Sequence, residues 1–222
     1  MMRFSRWREN GENSVNGRCF DVGTTTANAL ERFRRTGDPF SGSADPSAGG
    51  NGSIMRLAPI ALRWHHDPIA ASDRARVQSR TTHAALEPVE ASALLADILV
   101  DAVCSGSKDV VLRRRTSTAP KIHSIAQGSW REKRRRDIGS SPYVVHTLEA
   151  ALWSVHNANT FAEAVILAAN LGGDADTVAA VTGQIAGALW GLSSIPAEWL
   201  ARLAWYDAIV DRARRLMDIA LR

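Results

Sequence analysis

The chain has 222 residues, of which 45% are apolar and 23% charged, the balance of a globular protein with room for a sizeable core. No apolar run reaches the roughly 18 residues of a membrane-spanning helix, and the opening MMRFSRWRENGENS has neither an apolar signal core nor a small-residue cleavage site, so no membrane partner is expected and the location reads as cytoplasmic. The net charge of +4 is local: residues 111–137 hold nine Lys/Arg against two Asp/Glu, and the remainder carries 18 basic against 21 acidic residues.

Helical signals run along the whole chain. TTTANALERFRRTG (24–37) has threonines placed to cap its start, arginines in its last turn and Gly37 as a stop. DPFSGSADPSAGGNG (38–52) is a loop by composition, long enough to suggest a functional one. SIMRLAPIALRW reads as a buried helix that Pro59 bends or interrupts, and DPIAASDRARVQSRTTH as a polar helix with Pro68 in its first turn.

EPVEASALLADILVDAV is read as an amphipathic helix with Leu94, Leu95, Ile98, Leu99 and Ala102 on one side. The basic stretch follows, read as a solvated surface rather than a nucleic-acid site. SPYVVHTLEAALWSV sets Val144, Leu148, Leu152 and Val155 in one stripe, and TFAEAVILAANLGG starts on Thr160 and stops at Gly172. DADTVAAVTGQIAGALWG aligns Val178, Val181, Ile185 and Leu189, with Gly183 and Gly187 allowing close helix approach. One or two amphipathic helices close the chain at 196–222. No strand pattern appears, and the expected fold is all-α, a compact multi-helix bundle in a single domain. Cys19 and Cys104 read as reduced thiols.

Three stretches carry candidate chemistry. GGDADT (172–177) places Asp174, Asp176 and Thr177 at a helix mouth. Either they start the helix, Asp174 as its cap, or they are hard oxygen ligands suited to Mg²⁺ or Mn²⁺, with Gly172 and Gly173 leaving room for a ligand. Three oxygens are too few for an octahedral shell, so a second ligand cluster would be needed. GNGS (50–53) before a helix offers free backbone N–H groups of the kind that bind phosphate. His83 ends SRTTH, as a packing residue or a ligand contact.

Together and in this order, GRCFDVGTTTANALERFRRTGDPF, GNGSIMRLAPIAL, SRTTH, YVVHTLEAALW and LGGDADTVAAVTGQIAGALWG resemble the ADP-ribosylglycohydrolase family from about the tenth residue onward. The resemblance implies an all-α fold around a cleft with two Mg²⁺ ions, and hydrolysis of the bond between ADP-ribose and a protein side chain or small acceptor. It implies Asp174, Asp176 and Thr177 as metal ligands, the two carboxylates also acting in catalysis. Gly50, Asn51, Gly52 and Ser53 would line the diphosphate and distal ribose. His83, Tyr143 and Gly173 would complete the substrate site. The family's Thr-Asp-Asp-Thr motif is absent, and no Asp-Asp pair occurs anywhere in the chain. The chain is therefore expected to correspond to the C-terminal part of a family member with half of the metal site, either a hydrolase or an ADP-ribose-binding protein without turnover.

Overall fold

The computed structural model describes residues 1–220, and the last two positions of the 196–222 stretch expected to hold one or two helices lie outside the described residues. Twelve α-helices make up the described residues: α1 Met2–Asn10, α2 Thr24–Thr36, α3 Ala58–Arg63, α4 Pro68–Arg80, α5 Leu86–Ser105, α6 Lys108–Val111, α7 Pro120–Ala126, α8 Val144–His156, α9 Phe161–Ala169, α10 Ala175–Trp190, α11 Ala197–Leu200 and α12 Tyr206–Ala220. Two short 3₁₀ turns and two isolated β-bridges complete them, with no strand among the described residues. The fold is all-α, and no described helix is long and apolar enough to cross a membrane.

The axis of the bundle is α5, which packs against α3, α4, α6, α7, α8 and α10. Leu94, Leu95, Ile98, Leu99 and Ala102 are buried, and so are Pro88, Val89, Ala91, Ala93, Ala96 and Val100. The helix is thus covered on nearly every side rather than along one stripe. Each fully buried leucine or isoleucine contributes about 1.5–3 kcal/mol, so this helix is the largest single contributor to the core. Its polar residues misled the amphipathic reading because they are paired: Glu90 accepts from Arg76 at 2.9 Å, and Asp97 and Asp101 both accept from the buried Arg115. A carboxylate as buried as Glu90 persists only with such a partner, and Asp97 and Asp101 are half-buried.

Those pairs also account for much of the basic stretch. Arg113 joins Arg115 on Asp101, Lys133 meets the buried Glu149 at 2.7 Å, and Arg131 and Arg135 donate to the carbonyls of Leu112 and Asn170. Six of the nine cations, Arg113, Arg114, Lys121, Arg134, Arg135 and Arg136, are nevertheless exposed, while Arg115, Arg131 and Lys133 are drawn in to tie α5, α8 and their loops together.

Around this axis the predicted stripes hold. Val144, Leu148, Leu152 and Val155 of α8 are buried, as are Val178, Val181, Ile185 and Leu189 of α10. Thr160 caps α9 by accepting from the Glu163 N–H, and Asp67 caps α4 ahead of Pro68. Three local expectations are corrected. Gly23, not a threonine, takes the N-cap of α2. Pro59 lies in the first turn of α3 and starts it, which follows from its missing N–H being free there. Gly183 and Gly187 are not required by close packing, since an added Cβ would meet only Val165 at 4.0 Å and Phe161 at 3.8 Å.

Candidate functional site

The long loop before α3 is held by two backbone junctions. Asn51 N donates to Pro142 O at 3.1 Å and Val144 N to Gly49 O at 2.9 Å, which bridges Gly50 to Tyr143. A second bridge joins Ser43 to His83. The Gly50-Asn51-Gly52 turn is therefore fixed between the end of α4 and the start of α8. The start of α10 joins the same assembly, because Asp174 N donates to Ser140 O at 2.7 Å.

Asn51 is the centre of this arrangement. Its buried carboxamide donates to Thr147 Oγ1 at 2.8 Å and to Asp174 Oδ2 at 2.5 Å. Thr177, also buried, donates its hydroxyl to Asp174 Oδ1 at 3.2 Å. Asp174 occupies the N-cap position of α10, yet its carboxylate accepts no backbone N–H of the helix. Both of its oxygens face side chains instead. Of the two readings of Asp174, capping is the one the geometry removes. Asp176 is exposed in the first turn.

Two carboxylates and a hydroxyl are hard oxygen donors of the kind Mg²⁺ and Mn²⁺ take. Among the described residues, however, no group of three or more His, Cys, Asp or Glu side chains gathers around them. Three donors, one already accepting on both oxygens, do not by themselves fit the two-ion site that the resemblance implies.

His83 lies beneath the glycine turn. A Cβ at Gly52 would meet its Cε1 at 2.8 Å and one at Gly50 its Nε2 at 3.3 Å, so both glycines are sized to this ring. Arg56 donates to Thr82 Oγ1 at 2.7 Å, and Thr82 Oγ1 lies 2.7 Å from His83 Nδ1. A guanidinium only donates, so the threonine accepts from it while its hydroxyl also pairs with His83 Nδ1. The Nε2 and Cε1 edge of the ring faces the turn. Burial first, and the Arg56 charge second, push the His83 pKa down to about 4, and burial lowers Arg56 to about 10.

The depressed His83 value makes stability pH-dependent with a defined sign. Between about pH 6.5 and 4 the unfolded chain binds a proton here that the folded chain refuses. Stability is present above pH 6.5 and falls as the pH drops toward 4, by up to about 3 kcal/mol. Urea unfolding of the wild type and His83→Gln across this range checks it; an equal slope in both would remove the assignment.

The cleft itself has a volume of about 660 Å³ and lies between the 44–50 loop, the starts of α5 and α7, and Pro142–Tyr143. Gly50 and Tyr143 line it directly. Asn51, Gly52, His83, Asp174, Asp176 and Thr177 do not line it; Asn51, next in the chain to Gly50, makes the hydrogen bond to Asp174. Ser53 is completely buried, with its Oγ 3.2 Å from Ser92 of α5, and does not line the cleft. Gly173 sits against Ser140. Two lining residues escaped the sequence reading. Glu87 accepts the Tyr143 hydroxyl at 2.5 Å, and Lys121 donates to that same hydroxyl at 2.7 Å. Burial and then Glu87 hold the Tyr143 phenol above its ordinary range, while Lys121 pulls it down.

An all-helical bundle in which a Gly-Asn-Gly turn and an Asp-x-Asp-Thr helix start meet beside a cleft is an ADP-ribosylglycohydrolase arrangement, and the family model for ADP-ribosylglycohydrolase matches residues 1–221. The chain belongs to that family, and the match includes the first ten residues that the motif resemblance left out. It is 48% identical over 216 residues to ADP-ribosylarginine hydrolase Tri1 of Pseudomonas putida (strain GB-1), covering 97% of this chain and 58% of that protein. It is 30% identical over 209 residues to ADP-ribosyl-[dinitrogen reductase] glycohydrolase of Rhodospirillum rubrum, covering 93% and 67%. Among solved structures, one described as an ADP-ribosylglycohydrolase-related protein complex superposes with a TM-score of 0.81 at 38% identity, covering 89% of this chain and 69% of that one. The chain thus spans a little under three fifths of the Pseudomonas relative.

Proposed function

We propose that the cleft binds ADP-ribose and that the protein hydrolyses the glycosidic bond joining ADP-ribose to an acceptor, with ADP-ribosylated arginine as the first candidate. The supporting observation is Asn51, which ties the glycine turn to Asp174 at the start of α10 and so joins the two motifs in one site. The turn offers backbone N–H groups to a diphosphate. Tyr143 offers a ring beside it, and the His83 imidazole stands behind it. In this reading Asp176, exposed beside the held Asp174, draws a proton from water or balances an oxocarbenium-like charge. The arginine acceptor comes from the name of the Pseudomonas relative.

A second reading is binding without turnover. It is favoured by the donor count at Asp174, Asp176 and Thr177, which falls short of a complete metal shell.

Calorimetric titration of ADP-ribose into the chain, with and without Mg²⁺ and beside Asp174→Ala, tests the first step. Binding by the wild type, weakened at least about tenfold in the variant, is the expected result, equivalent to about 1.4 kcal/mol. Absence of binding by a folded wild type would overturn both readings. Release of ADP-ribose from ADP-ribosylated arginine then separates hydrolysis from binding alone.

A further inference from the structure

Lys121 enters the cleft from the basic stretch, whose other cations largely pair within the bundle. It stands on α7, with its Nζ 2.7 Å from Tyr143 Oη, 3.3 Å from Glu87 Oε1 and 5.1 Å from the centre of the Tyr143 ring. Tyr143 Oη in turn donates to Glu87 Oε2 at 2.5 Å. The phenol is thereby held from two sides, and its ring edge rests on Gly49, where an added Cβ would meet Cε2 at 2.9 Å. All four residues line the cleft.

The charges decide what such a wall admits. Without Lys121, the wall presents the Glu87 carboxylate alone, and any anion entering the cleft meets a like charge. With Lys121 in place the pair is neutral and the phenol has one orientation. The pair itself is accessible to solvent, Lys121 at 62% and Glu87 at 23%, and accessible pairs contribute little to folding. Its consequence therefore falls on the ligand and not on stability.

We propose that Lys121 is a specificity-determining residue of the cleft, neutralising Glu87 and holding the Tyr143 phenol so that an anionic diphosphate ligand is accepted. This rests on the reading of the cleft as an ADP-ribose site. The basic stretch then serves the site through one residue.

The test is calorimetric titration of ADP-ribose, and of adenosine as an uncharged probe, into wild type, Lys121→Met, Lys121→Arg and Lys121→Met/Glu87→Gln. Lys121→Met is expected to weaken ADP-ribose about tenfold while leaving adenosine within about twofold. Lys121→Arg stays close to wild type, and removal of the Glu87 charge in the double variant recovers most of the loss. Unchanged ADP-ribose affinity in Lys121→Met, an equal loss for both probes, or no recovery in the double variant overturns the proposal. A measurement without ligand keeps its failure separate from that of the functional reading. The chain has two tyrosines, so in a Tyr206→Phe background the ultraviolet titration reads Tyr143 alone. Its pKa should rise in Lys121→Met and fall in Glu87→Gln. If the wild type binds no ADP-ribose, the functional reading falls, and an unmoved phenol in these variants overturns the network as well.

Discussion

Gly173→Ala is expected to lose about 3–4 kcal/mol of stability, the sum of a backbone penalty and a steric one. Gly173 has a φ of +62°, where an L-residue costs about 1–2 kcal/mol. Its missing Cβ position also falls on the carbonyl oxygen of Ser140, which is backbone and cannot rotate away. That same oxygen accepts from Asp174 N at 2.7 Å, so relief of the clash pulls Asp174 from its place. Gly172 provides the internal control. Its φ is +77°, but nothing lies within 4 Å of an added Cβ, so Gly172→Ala should cost only the backbone term of about 1–2 kcal/mol. Urea unfolding of both variants measures the difference. Equal losses would show that the contact with Ser140 does not carry the effect.

Asn51 is the second position of large effect. Asn51→Leu keeps the approximate size and removes the amide that serves Thr147 and Asp174 together. The partners then lose a buried donor, at about 2 kcal/mol. Asn51→Asp keeps the shape and sets a second carboxylate against that of Asp174, so its loss at neutral pH should exceed that of leucine, at about 3 kcal/mol. Denaturant midpoints at constant slope give both values. ADP-ribose affinity, where wild type binds, should fall at least about tenfold in each. If both variants stay within about 0.5 kcal/mol of wild type, Asn51 does not organise Asp174.

The elements with a clear 3.6-residue period were legible in the sequence, because a stripe such as Val144, Leu148, Leu152 and Val155 has one sensible face to bury. α5 was legible as a helix but not as the centre. Its carboxylates suggested a wet side, and their partners, Arg76 and Arg115, are distant in sequence or were counted with a surface patch. The motifs were legible as well, but not how they join. Nothing near Asp174 says that its carboxylate serves a side chain 123 positions away rather than its own helix. Lys121 and Glu87 were invisible for the same reason. Each follows or precedes a proline at an ordinary helix start, and only the packing of α7 beside α5 brings both to Tyr143.

The span of the Asn51–Asp174 hydrogen bond bears on how the protein is made. Closing a loop of 123 residues loses chain entropy before any contact of the site forms in return. A nascent chain therefore has α2, α4 and α5 available well before Asn51 has its partner, and the Asn51–Asp174 bond forms only when α10 has been synthesised and has docked. By linkage, a ligand seated in the cleft draws on the stability of the whole bundle and returns it, so occupancy should protect helices remote from the cleft as well as those that line it.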